Sequence, residues 1–354
     1  LGVRTLQPVH QLDNRFGGAA PHNTIFQVAL YAENCHIDTD CGLTTDTLTL
    51  GFDVGADCKN TKGLTDEGKA LVQEMIDRGM LLDAAHLSEK SVGDVRDIAV
   101  ANDYYPIYLS HAHFRDIMIP AKASEEKTTP PWVVEVVRQT GGMIGLRTAH
   151  EETNSYDASP VANSCHGSSR SFAQAYDFGR LGLKVPMGLG SDLNGFIQQT
   201  RPRFGPDACS ASFPEEAACQ ARDERMSGPP RLGNGFDEAG LGHMGLLTSL
   251  LDDLDALGSD TAPLRSSAND FVRMWERADG QRSGQADPAD DIDSSGVTVL
   301  PSHTLRKQEL PKECGESYCP GALESGVECR FNAECESGVC TGAGDCGNPT
   351  GTCQ

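Results

Sequence analysis

From residue 64 to residue 192 the hydrophobic positions alternate between helical spacing and short unbroken runs. In "GLTDEGKALVQEMIDRG", Leu71, Val72, Met75 and Ile76 share one helical face. Thr65 is placed to cap that helix, Asp66 and Glu67 sit at its positive end, and Gly79 ends it. "MLLDAA" then predicts a buried strand, and Ser88 caps a second helix, "EKSVGDVRDIAVAN". The alternation continues with the strand "YPIYLSH", the helix "PPWVVEVVRQTGG" and the strand "MIGLR". The helix "SFAQAYDFGRLG" and the strand "KVPMGLGSD" complete it. Upstream, "LGVRTLQPVH" predicts a strand running out to His10. Downstream, "GLGHMGLLTSLLDDLDALG" and "SSANDFVRMWERA" predict two closing helices. The strands are apolar throughout rather than alternating in polarity, which is the pattern of a parallel sheet covered by helices.

Three stretches fall outside this pattern. Residues 11–63 form a long loop-like region with Cys35, Cys41 and Cys58, and loops of that length are usually functional. Residues 281–311 are polar and predict a linker; the acidic "DPADDID" there lacks the glycine and terminal glutamate of an EF-hand. Residues 312–354 hold seven of the thirteen cysteines in a Gly-, Asn-, Asp- and Ser-rich context. Such a tail has too few apolar residues for a core and depends on cross-links. Without paired C-x-x-C knuckles it predicts disulfides rather than zinc, and its odd count leaves one thiol to pair elsewhere. Residues 1–280 are thus expected to form the main unit, with a linker and a small disulfide-rich module after it.

Bulk chemistry narrows the options. A net charge of −22 argues against nucleic-acid binding, which needs an excess of Lys and Arg. Hydrophobic content is 38%, and no run approaches the roughly 18 apolar residues of a membrane span. Cysteine density points to an oxidising compartment, so a secreted or cell-surface protein is expected.

The polar residues at the strand ends carry the chemistry. His10, His86, His111 and Asp192 each lie at the C-terminal end of a predicted strand. In an α/β barrel those ends converge on one mouth. Two imidazoles and a carboxylate suit zinc or a similar cation, which activates water and polarises a carbonyl. His113 is an alternative ligand, and Arg147 and His150 follow a strand to the same mouth, where they are expected to line the substrate pocket. Ser110 has no G-x-S-x-G context, and "GLGSDLNGF" lacks Walker or Rossmann spacing.

"LGVRTLQPVH", "GLTDEGKALVQEMIDRGMLLDAAHLSEKS", "PIYLSHAHFRD", "GGMIGL" and "VPMGLGSDLNGF" together resemble the renal (membrane) dipeptidase family of the amidohydrolase superfamily. The resemblance implies a metal-dependent β/α (TIM-type) hydrolase barrel with two zinc ions and a small peptide or amide substrate. It implies His86 and His111 as ligands of one zinc and Asp192 as metal-touching proton shuttle. His10 would steady the substrate carbonyl. The family's H-x-D pair and bridging glutamate would lie before Leu1. The chain is therefore expected to hold strands four to eight and, alone, to be inactive. The stretch with Glu125, Glu126 and Lys127 offers no arginine for the substrate's carboxylate, Arg115 lies too early, and Asn194 stands where many members have a second Asp. Two further readings stay open: the same chemistry on an N-acyl amino acid or lactone, and a non-catalytic surface binding module.

Overall fold

The computed structural model describes residues 2–21, 52, 55, 59–123, 125–195, 197–213 and 232–281, together with three short strands of the tail. The predicted linker, most of the long loop and most of the cysteines lie outside the described residues.

Five parallel strands form one sheet in sequential order: β1 (Thr5–Leu6), β2 (Leu81–Asp83), β3 (Ile107–Ala112), β4 (Ile144–Arg147) and β5 (Met187–Gly190). The registers Thr5↔Leu81, Leu82↔Ile107, Leu109↔Ile144 and Ile144↔Met187 are all parallel. Crossovers between adjacent parallel strands are right-handed, so an unreversed order puts the connecting helices on one face. Those helices are α1 (Asp66–Asp77), α2 (Glu89–Ala101), α3 (Pro131–Gln139) and α4 (Ser169–Asp177), followed by α5 (Leu247–Leu257) and α6 (Ser267–Gln281). Thr65 and Ser88 cap α1 and α2 as the sequence predicts, accepting from the backbone N–H of Gly68 and Ser91.

The sheet is strongly curved where it matters. A Cβ on Gly190 of β5 would lie 2.5 Å from the Ser110 carbonyl oxygen of β3, two strands away. A flat sheet separates such strands by about 9.6 Å. Only glycine permits this approach, and a Cβ on Gly145 of β4 would meet the same oxygen at 2.1 Å. The curvature draws the ends of β3 and β5 together.

Two predicted elements differ in extent. β1 is only two residues long and exposed, because its side chains meet β2 alone among the described strands. The predicted helix "SFAQAYDFGRLG" is α-helical only to Asp177 and continues as a π-turn over Phe178–Leu183. All nine residues of α4 are buried, including Arg170, Gln174 and Asp177. Polar side chains on a buried helix need partners; Gln174 donates to the Val161 carbonyl at 2.6 Å, and Asp177 accepts from Ser159 at 2.7 Å. In the tail, Glu328–Cys329, Cys340–Thr341 and Gly351–Cys353 form a separate antiparallel sheet with the last strand central.

Candidate metal centre

His86 lies three residues beyond β2, in a turn ordered from below by Asp83. This buried carboxylate accepts from the Ala85 N–H at 3.1 Å and the Ser110 N–H at 3.0 Å, tying the ends of β2 and β3. Ala20 N–H donates to the His86 carbonyl at 2.8 Å, and the Gln7 amide donates to the Ala85 carbonyl. Residues 7–20 are thereby pinned against the His86 turn, and the His10 ring meets the His86 ring edge-on at 4.6 Å.

His111 occupies the penultimate position of β3. Its Nε2 lies 2.7 Å from His86 Nε2, so the two imidazoles converge on one point. Ser110 Oγ lies 3.0 Å from His111 Nδ1. A hydroxyl accepting from Nδ1–H leaves the Nε2 lone pair facing His86, the usual way a ligand imidazole is oriented. Burial lowers the His111 pKa, with Asp192 opposing and Arg147 assisting, so the ring favours its neutral, metal-competent form.

Asp192 follows β5, with Oδ2 3.9 Å from His111 Nε2 and 3.3 Å from Arg147 Nη2. Both His86, at φ 64°, and Asp192, at φ 43°, adopt the left-handed backbone region without being glycine. Such conformations cost of order 1–3 kcal/mol and gather at functional sites. Here they occur at two residues predicted from the sequence to touch the metal.

Around this centre lies a group that the sequence reading only partly identified. Arg147, the last residue of β4, also approaches His113 Nε2 at 3.2 Å and Glu151 Oε1 at 3.9 Å. His113 Nε2 is 3.1 Å from Glu151 Oε1. Glu151 is held well below the usual carboxylate range: burial pushes it up, but His113 and Arg147 outweigh that. His113 therefore belongs to the Arg147–Glu151 group, and its contacts are with these residues rather than with His86. Glu151 has no motif to mark it; the one signal is a polar triplet, "HEE", just beyond a strand. His150 faces another way, with Nδ1 3.0 Å from the Gln198 carbonyl. Arg115 is consumed by Glu89 at 2.7 Å and the Thr128 carbonyl at 2.8 Å.

The donor chemistry suits a zinc-type cation at His86 and His111, with Asp192 Oδ2 3.9 Å from His111 Nε2. Two nitrogens on one tetrahedral zinc stand roughly 3.3 Å apart, so the rings must part slightly to admit it. Among the described residues, no group of three or more His, Cys, Asp or Glu side chains is arranged to hold a metal ion. A cavity of about 40 Å³ adjoins both imidazoles and is lined also by Glu89 and Glu126; it is too small for a dipeptide.

The family model described as membrane dipeptidase (Peptidase family M19) matches residues 49–163. That span includes His86, His111, Arg147 and Glu151, and it bears out the resemblance read from the sequence. Among solved structures, the dipeptidase AC, a metallopeptidase of family M19, is 20% identical with TM-score 0.45, covering 79% of this chain and 59% of that one. The probable dipeptidase PvdM from Pseudomonas aeruginosa is 11% identical with TM-score 0.44, covering 79% and 64%. A metallopeptidase from Rhodobacter sphaeroides, liganded with a phosphinate mimic of the dipeptide L-Ala-D-Ala, is 20% identical with TM-score 0.37, covering 61% and 47%. The chain spans less than two thirds of the length of each, and these scores are too low to carry a residue's role across. No curated protein sequence matches the chain.

Proposed function

We propose that this chain is the metal-binding part of a dipeptidase-like hydrolase built as a β/α barrel, with His86 and His111 holding a zinc ion. The observation that carries this reading is the convergence of the two Nε2 atoms at 2.7 Å, at the ends of adjacent parallel strands. The family match over the same residues supports it. A bound zinc supplies a nucleophilic water at neutral pH and polarises the scissile carbonyl. Asp192, as shuttle, takes a proton at Oδ2 and passes it to the leaving nitrogen. Arg147 pairs with the same Oδ2 that lies near His111 and keeps that carboxylate aimed. His10, beside His86, donates to negative charge building on the carbonyl oxygen. Arg147 lies beside this centre, whereas His150, turned to the Gln198 carbonyl, takes no part in it. A second zinc is part of the same reading.

The substrate is a dipeptide or related small amide. The engagement of Arg115 favours a second reading, in which an N-acyl amino acid or lactone replaces the dipeptide. The buried Cys165–Cys209 disulfide supports folding in an oxidising compartment and hence secretion or cell-surface display. No helix among the described residues is long and apolar enough to cross a membrane.

The test is a panel of a dipeptide, an N-acyl amino acid and a lactone, offered to the zinc-loaded full-length protein and its His111→Ala variant. Turnover lost on substitution supports the hydrolase, and the preferred substrate separates the two readings. Turnover that survives His111→Ala contradicts it. A zinc-loaded protein inert to all three is the non-catalytic binding module.

A further inference from the structure

Immediately beside Asp192 the surface opens into a cleft of about 310 Å³, lined by Leu193, Ile197, Gln199, Arg201 and Leu241 among others. It is within the size range of small-molecule pockets, unlike the cavity against the imidazoles. Gln199 joins it to the centre: its amide donates to the Ser191 carbonyl at 3.1 Å, and its Oε1 accepts from Thr148, the neighbour of Arg147, at 2.7 Å. The wall of the cleft and the scaffold of Asp192 are therefore one structure.

Arg201 sets the character of this cleft. Arg147, Arg115 and Arg203 each have a carboxylate within 4.0 Å: Asp192, Glu89 and Asp253 respectively. Among the described residues Arg201 has none, and its head makes one weak hydrogen bond, Nη2 to Gln198 Oε1 at 3.5 Å. Its Nε is buried without a hydrogen-bond partner. In a chain of net charge −22, a half-buried arginine left without a carboxylate is an anion receptor in waiting. Asp207 also lines the cleft, but it is exposed, where water screens it. Leu193, Ile197 and Leu241 provide an apolar floor for a short methylene chain.

We propose that this cleft is a specificity subsite for an acidic side chain, with Arg201 pairing to its carboxylate. The preferred substrates would then carry an aspartyl or glutamyl residue on the Asp192 side of the scissile bond. This rests on the hydrolase reading for its catalytic meaning, but binding can be measured without turnover.

The probes are N-acetylglutamate and its neutral isostere N-acetylglutamine, titrated calorimetrically into the full chain without added metal. We expect N-acetylglutamate to bind about tenfold more tightly, the usual worth of one charge-assisted pair. Arg201→Gln should erase that preference and Arg201→Lys retain part of it. Ile197→Trp, on the half-buried wall of the cleft, should weaken both probes, and unchanged thermal midpoints in all three variants verify folding. Equal binding of the two probes, or a preference untouched by Arg201→Gln, overturns the subsite. Failure of the hydrolase reading alone would leave this binding preference intact while abolishing turnover of every substrate.

Discussion

Arg203 and Arg147 are both arginines paired with aspartate, yet they do opposite work. Arg203 is 4% exposed and grips both oxygens of Asp253, 1% exposed, through two donors at 2.5 and 3.0 Å, with Ser169 also donating to Oδ2. Both carboxylate oxygens are saturated by fixed donors, and the group bolts α5 to the segment after β5 and the start of α4. Arg147 instead divides itself among Asp192, His113 and Glu151 at 3.2 to 3.9 Å, and its Nε has no hydrogen-bond partner. Of these, Asp192 has a left-handed backbone and is 22% exposed. A saturated pair resists change, while a shared cation can let one carboxylate go when a substrate or metal arrives.

Substitution separates the two most sharply. Arg203→Gln strands a buried carboxylate and should cost about 3–5 kcal/mol of unfolding free energy. Arg147→Gln leaves Asp192 near water and Glu151 with His113, and should cost about 1 kcal/mol. Denaturant midpoints measure both; equal losses would erase the distinction. The next effect lies in the hydroxyl behind His111. Ser110→Ala should lower zinc affinity about 10–100-fold with little change in stability. An unchanged affinity would mean that Ser110 does not orient the ring.

A smaller effect concerns Glu126, which resembles the bolt in burial but not in partners. It accepts from the backbone N–H of Asn60 at 2.6 Å and of Glu89, at the start of α2, at 2.7 Å. Burial pushes its carboxyl up from 4.5 to about 7, against the pull of those two donors. The folded state therefore holds the proton more tightly than the unfolded chain. Its contribution to stability is greatest below pH 4.5, declines as pH rises through about 7, and is constant above that. Glu126→Gln should remove that slope, so urea midpoints of protein and variant should diverge in their pH dependence between these limits. Parallel curves would contradict the assignment.

The same contrast explains what the sequence made legible. His86, His111 and Asp192 stood out because polar groups ended apolar runs, and a parallel sheet brings such ends together. Asp83 stands in the same run as His86 but carries no signal of its own, since its task of tying Ala85 to Ser110 exists only once β2 and β3 are adjacent. The left-handed backbone at His86 and Asp192 left no trace, because neither position carries the glycine that announces it. His150 shared a strand end with Arg147 but turned to Gln198, a partner 48 residues away. The pairing of Cys165 with Cys209 was likewise one among many that thirteen cysteines allow.

The central claim is that His86 and His111 form one metal-binding pair. Cadmium-113 NMR of the full chain loaded with one equivalent of metal tests it directly, because nitrogen- and oxygen-bound cadmium resonates far from thiolate-bound cadmium. The account predicts a nitrogen-type signal that disappears in both His86→Ala and His111→Ala. A signal of unchanged position and intensity in both variants would contradict it.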